Sequence, residues 1–261
     1  MNAVAQLLRQ RSSGSVEICV GTGGVEIMRE AGSAKCRMPR GSSEAILINT
    51  SGGLAGGDVV EINATAKAGA ALTLTSQAAD RVYRTLGPAA EVKIKLNAEA
   101  GSTLLWMPQE SIFFEGSSLE RSLDVELADN ATFFAVEPML FGRREMGEYV
   151  RHVSVVDRWT IRHDGRLIHS DVFRLGPDWS KSMASFGDNH AAATVLMVSD
   201  QSETLLDSVR AVLGPNDGAS AWNGKLIARL LAKDGFHLRK SLIQVFAVCV
   251  GRERVPKTWT F

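Results

Sequence analysis

The side chains able to do chemistry are sparsely arranged in this chain. Five histidines, His152, His163, His169, His190 and His237, include no H-x-x-x-H or H-E-x-x-H pair, so no helix presents a ready zinc site. Three cysteines, Cys19, Cys36 and Cys249, form no C-x-x-C and read as reduced thiols in or near a core. Ser111, Ser182 and Ser185 lack the G-x-S-x-G elbow of a nucleophilic serine. Carboxylates cluster at Glu110, Glu115, Glu137 and Glu145-x-x-Glu148. Two of them facing one glycosidic bond would make an acid/base pair. Few aromatic platforms accompany them, since only 2 tyrosines occur and the 5 tryptophans are scattered. Oxygen and imidazole donors could instead pass a divalent cation, which they release faster than thiolates do.

The elements that must position these groups are organised around Ile46–Asp58. Three apolar residues lead into Asn49-Thr50-Ser51-Gly52-Gly53-Leu54-Ala55-Gly56-Gly57-Asp58, and an alternating strand follows. Two Gly-Gly pairs in six residues suit a turn that needs positive φ or close backbone approach. It is no phosphate cradle, because no G-x-x-x-x-G-K-S/T is present and a strand, not a helix, comes next. Asp58 is placed to cap that turn through backbone N–H groups.

From Val59 the period is two. Val60, Ile62, Ala64 and Ala66 share one face against Glu61, Asn63, Thr65 and Lys67. The same design returns at Val92–Leu96 and Leu123–Leu127, each followed by a small-residue turn and a second strand. Val60 to Val92 and Gly69 to Gly101 are both 32 positions, and Val92 to Leu123 is 31. This is a repeat of about 30 residues in three copies, which predicts a mainly β, layered or helically wound sheet structure. Gln77–Gly87, Pro108–Ser118 and Pro138–Met146 read as the longer returns that carry recognition residues.

Before the repeats, residues 1–14 read as flexible, Ser15–Val20 and Val25–Arg29 as a hairpin, and residues 31–44 as a loop. After them, Tyr149–Arg162 and Arg166–Leu175 form a hairpin across His163-Asp164-Gly165. Thr194–Ser199 reads as a short strand. Asp200 and Glu203 resemble a capping box for a helix with Leu205, Leu206, Val209, Val212 and Leu213 on one face, stopped by Gly214-Pro215. Lys225–Ala232 reads as a strand, and Leu238, Leu242, Val245, Phe246 and Cys249 mark a second late helix. No linker divides residues 1–261, so a single domain is expected.

The chain has 29 basic and 29 acidic residues, which gives no electrostatic case for nucleic acid or an anionic membrane. Zero net charge also protects little against self-association, so solubility through a partner is expected. No window reaches the roughly 18 apolar residues of a span, and Met1–Arg11 lacks the apolar core of a secretion signal, so a cytoplasmic location is expected.

Five blocks, in order, resemble one known family. Asn49–Asp58 resembles the N-T-S-G-G-x-x-G-G-D block of the urease accessory protein family UreD, also called UreH. Thr75-Ser76-Gln77-Ala78-Ala79 with Val82-Tyr83-Arg84 is similar to its T-x-Q-A-x-x-x-x-Y-R segment. Leu105–Glu110, with Pro108-Gln109-Glu110, resembles its L-x-x-x-P-Q-E segment. Phe141-Gly142-Arg143 and Met146-Gly147-Glu148 resemble its G-R-x-x-x-G-E segment, and Val255–Trp259 its P-R-x-W ending. The resemblance implies a nickel-insertion chaperone for urease rather than an enzyme. It implies binding to UreF, through it to the GTPase UreG, and docking on apo-urease in a two-fold assembly. It also implies no tightly bound cofactor, but a transient passage for nickel, for which Glu110, Glu115, Glu137 and His152 are the candidates. Asn49, Gly52, Gly53, Gly56, Gly57, Asp58, Gln77, Tyr83, Arg84, Pro108, Gln109, Gly142, Arg143 and Glu148 become structural or partner-binding candidates. A β-solenoid carbohydrate-active hydrolase using Glu110, Glu115 or Glu137 is the alternative reading.

Overall fold

The computed structural model describes residues 11–143, 146–176 and 185–260. The chain opens with a hairpin, β1 (Ser13–Gly21) and β2 (Gly24–Gly32). Of the stretch expected to be flexible, Ser13 and Gly14 therefore already belong to β1, and residues 1–10 lie outside the described residues. The segment expected as a loop over residues 31–44 contains β3 (Ala34–Arg37), paired antiparallel to β4 (Glu44–Asn49). Its alternation is only four residues long, with Ala34 and Cys36 buried, too short to stand out among Gly, Ser and Pro.

The repeats then coil. Each turn lays one strand in a first sheet, one in a second sheet, and a short one on a third side. The first turn is β5 (Val59–Ala66), β6 (Ala71–Ser76) and β7 (Asp80–Val82). The next is β8 (Ala90–Ala98), β9 (Thr103–Met107) and β10 (Ser111–Phe113). The third is β11 (Ser117–Leu127) and β12 (Thr132–Phe141), whose last three residues pair with β10. In all, about four solenoid turns stack, with β13 (Val153–His163) beginning the last and β14 (Arg166–Leu175) returning antiparallel beside it. The first sheet runs β14-β13-β11-β8-β5-β1-β2, parallel from β1 to β13.

Register is set by inward-facing columns. Val16, Ile62, Ile94, Leu123 and Trp159 stack across five strands of the first sheet, and Ala45, Leu74, Trp106, Ala135 and Leu196 across the second. Both columns bury their members in one core between the sheets. Val60 pairs with Val92, as the 32-residue spacing predicts, but Val92 pairs with Arg121 rather than Leu123. The third repeat is thus two residues shorter than the sequence spacing suggested. A two-residue slip keeps every side chain on its face, so alternation alone could not detect it. The expected returns at Gln77–Gly87 and Pro108–Ser118 hold β7 and β10, three residues each and below the length at which a period can be read.

The last third adds three strands to the second sheet and lays helices on its outer face. β15 (Ala191–Val198) pairs with β12, followed by α1 (Leu206–Val212), β16 (Gly218–Trp222), β17 (Lys225–Ala232) and α2 (Gly235–Cys249). Leu238, Leu242, Val245, Phe246 and Cys249 of α2 bury against Leu105, Phe134 and Val136. Asp234 caps α2, accepting from the His237 N–H at 2.9 Å. The expected capping box at Asp200 and Glu203 does not form. α1 starts later, without a side-chain cap, and Glu203 instead accepts from the Gly224 N–H at 2.9 Å. β16 was not expected, because Gly218–Trp222 is short and only half-buried. None of the helices among the described residues is long and apolar enough to cross a membrane.

Candidate functional site

The blocks that stand apart in sequence meet on the third side of the solenoid. Asn49 ends β4 and donates from Nδ2 to the Gly53 carbonyl (3.1 Å) and to Asp80 Oδ1 (3.2 Å). Gly53 has φ +146°, and a Cβ there would lie 2.5 Å from the Tyr83 ring and 2.6 Å from the Arg81 carbonyl. Gly56 differs from the expectation of a strained turn residue. Its φ is not positive; it is small because the Pro88 carbonyl would stand 2.5 Å from its Cβ. Gly52 and Gly57 do adopt positive φ, +76° and +83°. Asp58 is buried and accepts from the Ala55 N–H (2.8 Å) and the Ser12 N–H (2.7 Å), closing the turn onto the N-terminal strand.

Tyr83 donates its hydroxyl to the Gly52 carbonyl (3.0 Å) and meets the Phe114 ring edge-on at 5.2 Å. Arg143 lies 4.2 Å over the same Phe114 ring and pairs with Glu148 at 2.7 Å. That guanidinium holds the Glu148 carboxyl below the usual carboxylate range. Gly142 donates to the Phe113 carbonyl (2.9 Å), and the Arg84 side chain packs over Gly116. One step along, Glu115 accepts from the Arg151 and His152 N–H groups and sits 2.7 Å from His152 Nδ1. Partial burial works the other way, yet those donors keep Glu115 below its ordinary value. The result is a half-exposed surface of aromatic rings and paired charges, which exposed Met146 and Tyr149 extend.

Behind this face a partly open cavity of about 250 Å³ lies between the two sheets. Asn49, Gln77, Pro108, Gln109, Asp80 and Glu137 line it with apolar residues of both sheets. Gln109 also reaches Arg239 of α2 and Thr258, so the C-terminal block closes against the cavity wall. At the inner end is a buried ion network. Arg121 Nη1 is 2.6 Å from Glu137 Oε2, and its Nε and Nη2 donate to the two oxygens of Asp157 at 3.1 and 2.8 Å. Ser111 Oγ accepts from Arg121 at 3.3 Å, and the Trp106 indole donates to Glu137 Oε1 at 2.7 Å. Burial works against the Arg121 charge, but Asp157 and Glu137 hold its pKa well above the ordinary value. Glu137 is pushed up to about 7, because burial outweighs the pull of Arg121 and Asp157 adds repulsion. Burial likewise raises Asp80, against Asn49 and Arg121. Glu137 also lines a second cavity of about 530 Å³, walled by Phe173, Phe186, Asp217 and Arg229.

The four residues expected to carry a cation are therefore separated. Glu137 is interior, Glu115 and His152 pair at the surface, and Glu110 contributes its carbonyl, which accepts from the Asp80 N–H (3.0 Å). Among the described residues the group of three convergent donors is a different one, exposed Asp129 and Asp164 with half-buried His163 at the end of β13. Arg121, Asp157, Asp80 and Trp106 were not singled out from sequence. The available signal was a charge in an inward slot: Arg121 between Leu119 and Leu123, and Asp157 between Val155 and Trp159.

The chain is similar to known proteins over nearly its whole length. Residues 20–260 match the family described as UreD urease accessory protein. Urease accessory protein UreD 1 of Brucella abortus is 41% identical over 99% of this chain and 98% of its own. The UreD proteins of Mesorhizobium japonicum (40%, covering 97% and 95%) and of Chelativorans sp. (41%, covering 98% and 96%) are similar over the same extent. The chain belongs to the UreD family of urease accessory proteins.

Proposed function

We propose that this chain is a urease maturation chaperone that lets nickel pass through its interior toward the apo-urease active site. In this reading it binds UreF, and UreG through UreF, in a two-fold cytoplasmic assembly around a UreF dimer, and GTP hydrolysis belongs to UreG. Nickel is cargo: it is held transiently, and the chain has neither a resident cofactor nor a reaction of its own. The observation that carries the reading is Glu137, one buried carboxylate lining both the cavity between the sheets and the second, open one. Carboxylate oxygens, with no thiolate beside them, suit a cation that must leave again. The surface of Tyr83, Phe114, Arg143 and Glu148 has the aromatic and Arg-rich composition of a protein interface.

The hydrolase alternative is less favoured. It needs two carboxylates facing one bond, whereas Glu115 is committed to His152 and Glu137 to Arg121 and Trp106. Co-expression with UreF, followed by affinity purification and size-exclusion chromatography, tests the proposal. A stoichiometric complex that supports nickel-dependent urease activation is expected, and activation should be lost in Glu137→Leu while the complex still forms. A well-behaved chain that ignores UreF would overturn the reading.

A further inference from the structure

We propose that Arg121, which lines the first cavity, is the resident counter-cation of Glu137, and that a divalent cation binds Glu137 only by displacing it. This rests on the interior passage proposed above and adds how that passage is held shut. Each Glu137 oxygen already accepts one donor, Oε2 from Arg121 at 2.6 Å and Oε1 from the Trp106 indole at 2.7 Å. A second lone pair remains on each oxygen, but a dication bound there beside the guanidinium would set two cations against one carboxylate, so one donor has to leave. Trp106 is fixed, buried in the inward column of the second sheet between Leu74 and Ala135.

Arg121 is the donor that can let go. Releasing Glu137 costs it one hydrogen bond, while Nε and Nη2 keep their bidentate grip on Asp157. Its charge stays buried but paired, which avoids the large penalty of an orphaned ion. Glu137 in turn exchanges a singly charged partner for a doubly charged one. Electrostatics then favours a divalent ion over Na⁺ or K⁺, whose charge gives no advantage over the guanidinium already present. Asp80 lines the same cavity and adds a second carboxylate along the approach. Asp157 thus acts as the anchor that holds Arg121 while the cation occupies its place and returns it afterwards.

The test titrates Co²⁺ into the full chain, purified with UreF, and follows its d–d absorbance, with Ni²⁺ calorimetry in parallel. Circular dichroism checks that each variant is folded. Glu137→Gln should weaken interior binding at least about tenfold, and Arg121→Met should tighten it by about tenfold or more. Asp157→Asn should act in the opposite sense and weaken binding, because Arg121 is then left to Glu137 alone. It also carries the test if Arg121→Met fails to fold. A purely structural network would lower the melting temperature in both variants without moving cation affinity in opposite directions. If Glu137→Gln weakens binding while Arg121→Met and Asp157→Asn leave it unchanged, the gate is wrong and the passage stands. If Glu137→Gln itself binds like the parent, both fail.

Discussion

Trp259 offers the clearest quantitative test of how the C-terminal block works. Its indole is 1% exposed, meets Phe246 edge-on at 5.0 Å and lies under the Arg239 guanidinium at 4.7 Å. Its Nε1–H donates to the Met107 carbonyl at 3.0 Å, tying the tail to the end of β9 beside the cavity wall. Trp259→Ala removes a fully buried ring, a loss of about 3–5 kcal/mol with its cavity. It also leaves a buried carbonyl without its donor, about 1 kcal/mol more. The sum, about 4–6 kcal/mol, approaches the whole stability of a marginal domain at the low end of about 5–15 kcal/mol. For a chain of this size it corresponds to a fall in Tm of roughly 10–20 °C. Trp259→Phe keeps most of the apolar body and should cost only about 1–2 kcal/mol, chiefly the lost donor. Thermal and urea melts of the purified chain read both. If Trp259→Ala melted within about 2 °C of the parent, the tail would be a surface appendage, and its place in the core would be wrong.

Gly53→Ala should destabilise by well over about 1 kcal/mol, because both the positive φ and the Tyr83 ring oppose a Cβ. Differential scanning fluorimetry reads the loss, and Tyr83→Ala in the same background should recover part of it by opening the space. The pH dependence of stability has a definite sign at Glu137. Its folded pKa, about 7, lies above the ordinary 4.5, so the folded state holds a proton that the unfolded chain has released. Stability should therefore fall as pH rises from about 4.5 through about 7, and Glu137→Gln should flatten that slope in urea midpoints. A steeper fall in Glu137→Gln than in the parent would place the titrating group elsewhere.

Much of the coil was legible because a half-buried strand writes its geometry as alternation. Val60–Ala66, Val92–Leu96 and Leu123–Leu127 each declare an inward face, and the 32 positions from Val60 to Val92 give the length of one turn. The third side was not legible. β7 and β10 have three residues apiece, and their identity comes from stacking Leu54, Val82, Phe113 and Phe141 in a column that only the coil creates. The face was anticipated through its residues, since Tyr83, Arg143 and Glu148 came from the blocks. Phe114, the ring between Tyr83 and Arg143, lies outside them and was passed over.

The interior network shows the limit of reading alternation as core. Arg121 and Asp157 occupy slots whose neighbours along each strand are Leu, Val and Trp, and the same column holds Val60 and Val92. A solenoid built only to be stable would fill those two positions with aliphatic side chains. Replacing a buried ion pair by packed apolar groups is commonly neutral or favourable, since desolvation offsets most of the Coulomb gain. Stability alone therefore gives no reason to prefer these charges over aliphatic side chains. Arg121 lines the first cavity beside Glu137, the carboxylate that both cavities share, and Asp157 holds Arg121 there from an otherwise apolar column. A charge in an inward slot, set where regular packing would place Leu or Val, is the mark by which such an interior can be found in a coiled β chain before its structure is known.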